Sequence, residues 1–117
     1  MSGLEIRTDL SGETAVVHVV GEVDMSNAPT LLAAVLDACA VVSEPAPLVV
    51  DLTGVDFFGS SGITVLVQAH QRCRAQRTPL RVVSTGRAVP RTLHIAGLDK
   101  VLDIRDSVAD ATRVQVA

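Results

Sequence analysis

Two adjacent hydroxyls, Ser60 and Ser61, stand between Gly59 and Gly62 at the end of the run Asp51-Leu52-Thr53-Gly54-Val55-Asp56-Phe57-Phe58, where side-chain chemistry and backbone freedom coincide. Each chemistry that sets serines among glycines makes its own demand on spacing. A phosphate-binding loop needs Gly-x-x-x-x-Gly-Lys-Ser/Thr. Gly54 and Gly59 have that spacing, but Ser60 stands where the lysine belongs, and Phe57 and Phe58 occupy positions at which backbone amides would wrap a polar group. A hydrolase nucleophile elbow needs Gly-x-Ser-x-Gly, and Gly59-Ser60-Ser61-Gly62 sets its glycines one residue too close together. Ser60 does fall at or beside a helix N-terminus, where unpaired amides and the helix dipole would tolerate a phosphate carried on the hydroxyl itself. The plainer alternative is that Ser60 caps the helix and the glycines shape the turn.

The remaining chemistry-bearing residues are dispersed. His18 sits in strand-like alternation, His70 in a helical stretch and His94 in a short helical stretch, with no ligand spacing among them, so they read as structural and no metal is expected. Cys39 and Cys73 form no C-x-x-C pair. They read as reduced, buried thiols of a reducing compartment, since spacing alone does not bring them together. No nucleophile, base and orienting group can be assembled, so the chain is not expected to be an enzyme or to need a cofactor.

The elements that must position the serines follow from the alternation of β-branched runs with Ala/Leu-rich stretches of helical period, which is the rhythm of an α/β fold. Thr14 to Val23 reads as a strand, paired through Ser11-Gly12-Glu13 with Leu4 to Asp9 as a hairpin. Ser26 or Asn27 can cap a helix with Pro29 in its first turn and an apolar stripe of Leu31, Leu32, Val35, Leu36 and Cys39. Pro45 and Pro47 close it off, and Leu48 to Leu52 is nearly all apolar, as a central strand covered on both faces would be. Thr53 to Gly59 reads as a loop, and Ser60 to Gln76 as a second helix with Ile63, Leu66, Val67 and His70 on its apolar face. Beyond it, Leu80 to Val83 predicts a strand, Ala88 to Ala96 a helix, Val101 to Ile104 an edge strand and Ser107 to Val114 a last helix.

Composition bounds what these elements can serve. With 117 residues, 48% of them hydrophobic, one domain spanning 1–117 is expected, with no need of a metal or disulfide to fold. A net charge of -3 gives no positive field for a phosphate backbone, and the only aromatics, Phe57 and Phe58, offer no platform for bases, so nucleic acid is not an expected ligand. No run approaches a membrane span, and Met1 to Ser11 lacks the features of a signal peptide, so a cytoplasmic location without membrane insertion is expected.

Three elements in order carry a resemblance over nearly the whole length: Gly21-Glu22-Val23-Asp24, the block Asp51-Leu52-Thr53-Gly54-Val55 with Phe58-Gly59-Ser60-Ser61-Gly62-Ile63, and Leu93-x-x-Ala96-Gly97-Leu98. The chain resembles the sulfate transporter and anti-sigma factor antagonist (STAS) domain, in particular the bacterial anti-sigma factor antagonists. The resemblance implies a mixed β-sheet flanked by about four α-helices. It implies that Ser60 is phosphorylated, with Ser61 as the fallback acceptor, by a partner that is both an anti-sigma factor and a serine kinase. The unmodified antagonist would sequester that partner and free a sigma factor, phosphorylation would release it, and a serine phosphatase would reset the switch. The implied partner surface joins Asp24, Met25, Ser26 and Asn27 to Gly59, Ser60, Ser61 and Gly62. For Asp24 and Ser26 the alternative is a helix-capping role alone. One departure stands out: family members carry aspartate before the phosphoacceptor, and this chain has Gly59. A rival reading within the same fold is a constitutive subunit of a transporter or stress-signalling assembly, with Ser60 a cap and no phospho-switch.

Overall fold

The structure, a computed structural model, describes residues 3–113. Strands β1 (Leu4–Ser11) and β2 (Thr14–Val23) form the expected hairpin. Helix α1 (Ala28–Val41) and strand β3 (Leu48–Phe58) follow, then helix α2 (Ser60–Ala75), β4 (Leu80–Val83) and helix α3 (Ala88–Ile95). After a 3-10 turn at Leu98–Lys100 come β5 (Asp103–Arg105) and the short helix α4 (Val108–Ala111). The five strands make one mixed sheet in sequence order, β1-β2 antiparallel and the rest parallel.

Alternation along the strands divides the side chains between two faces. Ala15, Val17 and Val19 of β2 with Leu48, Val50 and Leu52 of β3 bury themselves in the principal core, under α1, α2 and α3. The opposite face has only a small apolar cluster of Val16, Val49 and Val83, covered by Ala111 and Val108 of α4. Arg81, buried on that face, donates from Nη1 to the carbonyls of Ala111 (2.9 Å) and Arg113 and so holds α4 against β4.

Helices α1 and α2 form and sit as they do because each carries small or aliphatic residues at helical spacing. The buried positions are Leu31, Val35, Ala38 and Cys39 on α1 and Val65, Leu66, Ala69 and Cys73 on α2. Relative to the expected stripes, Leu32, Leu36, Ile63, Val67 and His70 are only half-buried. Each helix packs on both the sheet and its neighbour, so the buried face turns toward the smaller residues that allow close approach.

The largest correction is at Thr53 to Gly59, read as a loop: residues 53–58 are the second half of β3, and Gly59 alone joins it to α2. Glycines and polar residues argued for a loop, but Val20, Gly21, Glu22 and Val23 of β2 pair with Gly54, Val55, Phe57 and Phe58 across two register irregularities. Gly54 is there for close approach: a Cβ would lie 2.9 Å from the Val20 side chain and 3.2 Å from the Val19 carbonyl. The edge strand begins at Asp103 rather than Val101, and the last helix spans one turn, Val108–Ala111; Val114 lies outside the described residues.

Candidate functional site

The candidate site lies where β2 and β3 end and the helices α1 and α2 begin. The β2–β3 pairing ends in a bond from the Gly59 amide to the Val23 carbonyl at 3.1 Å, which closes the end of the sheet and places the Asp24–Asn27 turn beside the start of α2.

Side-chain hydrogen bonds fix the shape of that turn. Asp24 Oδ1 accepts from the Ser26 amide (2.9 Å), the Ser26 hydroxyl (2.6 Å) and the Asn27 amide (3.3 Å). Asn27 occupies the N-cap position of α1, but its side chain does not cap the helix. Its Oδ1 instead accepts from the Asp24 amide (2.9 Å), and its Nδ2 donates to the Glu22 carbonyl (2.8 Å). Asp24, Ser26 and Asn27 therefore form a preorganised turn that holds Met25 outward, 84% exposed.

At the start of α2, Gly59 rather than Ser60 is the N-cap, in extended conformation, and Ser60 is the first helical residue. Ser60 is exposed, and its hydroxyl makes no hydrogen bond to the described residues. The Gly62 and Ile63 amides close on the Gly59 carbonyl, but the Ser60 and Ser61 amides ahead of them have no carbonyl a turn behind, and no acidic residue stands in the first turn, so a phosphate on Ser60 would meet partial positive charge from its own helix. Ser61 is half-buried and turns toward α1. Gly62, expected among the partner contacts, is buried, and an added Cβ would sit 2.7 Å from two carbons of the Phe58 ring. Its role is to let Phe58, the last residue of β3, tuck beneath the first turn of α2.

Between the two helix starts runs an apolar groove of about 290 Å3, whose walls include Met25, Pro29, Leu32, Ser61, Thr64 and Gln68. The Phe57 ring, 52% exposed, leans over Gly59, 3.3 Å from where a Cβ there would stand. The aromatic ring thus borders the space into which a side chain at position 59 would project. Sequence reasoning missed Phe57 and the wall residues Pro29, Leu32, Thr64 and Gln68. The available signal was Phe57's alternation with the buried Phe58, which requires it to face away from the core once β3 is known to extend that far.

The histidines are accounted for in two cases. His18 Nδ1 lies 2.7 Å from Asp51 Oδ2 and its Nε2 3.1 Å from Asp9 Oδ2, on the sheet face opposite α1 and α2. Asp51 is buried, and its Oδ1 also accepts from the Thr53 amide (3.0 Å) and hydroxyl (2.8 Å), so the first residue of the 51–63 block anchors the sheet rather than facing a partner. His94 Nδ1 lies 2.7 Å from Asp99 Oδ2 in the α3 connection, and that hydrogen bond holds the Asp99 carboxyl below the usual carboxylate range. Among the described residues no group of three or more His, Cys, Asp or Glu side chains is placed to hold a metal ion, and no helix is long and apolar enough to cross a membrane.

A family model described as the STAS domain matches residues 5–111. The anti-sigma-F factor antagonist RsfA of Mycobacterium tuberculosis is 38% identical over 96 residues, covering 82% of this chain and 75% of that protein. Among solved structures, an anti-sigma factor antagonist from Mycobacterium paratuberculosis is similar with a TM-score of 0.84 and 33% identity, over 93% of this chain and 91% of that one. The Bacillus cell fate determinant SpoIIAA in its phosphorylated form has a TM-score of 0.71 at 16% identity, over 95% of this chain and 100% of that one, a likeness of fold alone. The mixed five-stranded sheet, the helix pair and the three matching sequence elements have one common explanation: the chain belongs to the STAS domain family.

Proposed function

We propose that the chain is an anti-sigma factor antagonist of the cytoplasm that does no chemistry itself. Unphosphorylated, it binds an anti-sigma factor that is also a serine kinase, through Met25, the groove between α1 and α2, and the exposed start of α2. Phosphorylation of Ser60 releases the partner, and a serine phosphatase restores binding. The relatives named as anti-sigma factor antagonists support the class of partner. The observation that carries the switch is the exposed Ser60 hydroxyl, free of any hydrogen bond to the described residues, at the first position of a 16-residue helix whose next residue, Ser61, lines the apolar groove.

A phosphate brings about -1.5 to -2 units of charge, which a close-packed apolar interface must either desolvate or exclude. A loss of about 1.4 kcal/mol already weakens binding tenfold, and Ser60 lies within the proposed interface one residue before the groove-wall residue Ser61, so Ser60→Asp should cost at least that much. Ser60 is preferred to Ser61 as acceptor because Ser61 is half-buried against the groove.

Affinity capture from a lysate of the source organism, with wild type and Ser60→Asp as parallel baits and mass spectrometry of the retained proteins, tests this reading. An anti-sigma factor with a kinase domain retained by wild type and lost with Ser60→Asp is the expected result. The same transporter or scaffold subunits on both baits would refute the switch.

A further inference from the structure

Cys39 and Cys73 lie far apart in the chain but meet where α1 packs on α2, with their sulfurs 3.5 Å apart and both thiols buried and free. A disulfide needs a sulfur separation of about 2.05 Å, so closing the pair asks for an approach of about 1.5 Å, within the reach of side-chain rotation. The surrounding backbone is already fixed. Gln76 Nε2 donates to the Cys39 carbonyl (2.8 Å) and to Thr78 Oγ1 (2.9 Å), while the Thr78 amide donates to the Cys73 carbonyl (2.9 Å). The two helix ends are held in register by a clamp that does not involve the sulfurs.

The two cysteines differ in access. Cys39 is enclosed, whereas Cys73 also forms part of the wall of a cleft of about 240 Å3 with His70, Arg74, Thr78 and Leu80. A cleft of this volume admits a molecule the size of hydrogen peroxide as far as the Cys73 residue.

The geometry points to a peroxide-oxidisable modification site at Cys39 and Cys73, where an intramolecular disulfide ties α1 to α2. The Cys73 thiolate attacks one oxygen of hydrogen peroxide, the O–O bond breaks, hydroxide leaves and takes up a proton to form water, and Cys73 becomes a sulfenic acid. The Cys39 thiol then attacks the sulfenic sulfur. The S–O bond breaks, the S–S bond forms, and the Cys39 proton leaves with the hydroxyl as a second water. In sum, two thiols and one peroxide give one disulfide and two waters. Burial, followed by the hydrogen bond and the charge of Cys39, pushes the Cys73 thiol up to about 12, so at neutral pH the thiolate is scarce. Cys73 therefore oxidises slowly. The site is independent of the reading of Ser60.

The reduced, purified protein treated with hydrogen peroxide tests this, and Met25, 84% exposed, reports whether oxidant has acted. Intact mass under denaturing, non-reducing conditions should show a species lacking two hydrogens, with a Cys39–Cys73 crosslinked peptide on digestion and full reversal by dithiothreitol. Because the thiolate is the nucleophile, the crosslinking rate should rise about tenfold per pH unit between pH 7 and 9. Both thiols still alkylatable after unfolding, in a sample whose Met25 is fully converted to sulfoxide, would overturn the proposal. So would Cys73 passing to sulfinic acid with no crosslinked species.

Discussion

Replacing Gly62 by alanine tests the packing that places Ser60. The new methyl carbon would stand 2.7 Å from two carbons of the Phe58 ring, against an ordinary carbon–carbon contact of about 3.5–4.0 Å. Phe58 is 3% exposed and packs in the principal core, so the ring cannot swing into solvent, and the overlap must be relieved by moving the end of β3 or the first turn of α2. Overpacking of this kind costs about 1–3 kcal/mol. Alanine is the better helix former by at most about 1 kcal/mol, and by less in a first turn, so the net destabilisation is about 1–2 kcal/mol. In urea the midpoint should fall with an unchanged slope, and for a chain of this length the melting temperature should fall by about 4–8 °C. Phe58→Leu removes the ring edge, so in a double-mutant cycle the two changes should couple favourably by at least about 1 kcal/mol. A Gly62→Ala protein as stable as wild type, or more so, would refute the contact as the reason glycine stands there.

Other consequences follow from the same geometry. Asp51→Ala strips three hydrogen-bond donors, from Thr53 and His18, of a buried acceptor, and should cost about 2–4 kcal/mol by urea unfolding. Gly59→Asp sets a Cβ 3.3 Å from a Phe57 ring that is half-exposed and free to turn outward, so stability should change by no more than about 0.5 kcal/mol while the surface beside Ser60 gains a charge, measurable as unchanged melting with altered partner affinity. The Arg105 hydrogen bond holds the Asp103 carboxyl below its usual range, with the charges of Arg105 and Arg81 adding to it. A depressed folded-state value means that the contribution is present above about pH 4, where the unfolded carboxyl is ionised, and is lost as pH falls through the folded value. Wild type should therefore lose stability more steeply than Asp103→Asn when titrated from pH 5 to pH 2.5, and parallel curves would contradict the assignment.

The hairpin, the central strand at Leu48, both long helices and the placement of Ser60 were legible in the sequence, because each rests on local periodicity and turn residues. The second half of β3 was not. Gly54 and Gly59 look like loop residues until β2 is in place, and only then does the close approach of Val19 and Val20 explain Gly54. The apolar stripes of α1 and α2 were found but rotated, since the sequence does not say that each helix must bury one edge against its neighbour as well as against the sheet. The meeting of Cys39 and Cys73 was illegible for the same reason: it depends on the crossing of two helices, which no spacing encodes.

Most of the block from Asp51 to Gly62 is determined by packing. Asp51 anchors Thr53 and His18, Leu52, Val55 and Phe58 enter the core, Gly54 permits the approach of β2, and Gly62 makes room for Phe58. Each of these residue types has a structural reason, so a match to the block would by itself announce a fold and nothing more. Ser60 is different. It does not cap the helix, it makes no hydrogen bond to the described residues, and its side chain is exposed at a position where many residues serve a helix equally well. The folding problem leaves that hydroxyl unspecified, so its chemistry is the reason to look for something that acts on it from outside. The Asp24–Asn27 turn bears on the same proposal: hydrogen bonds among Asp24, Ser26 and Asn27 hold a shape that leaves Met25 exposed on the wall of the groove that Ser61 also lines, an exposed apolar side chain of the kind the proposed docking would use.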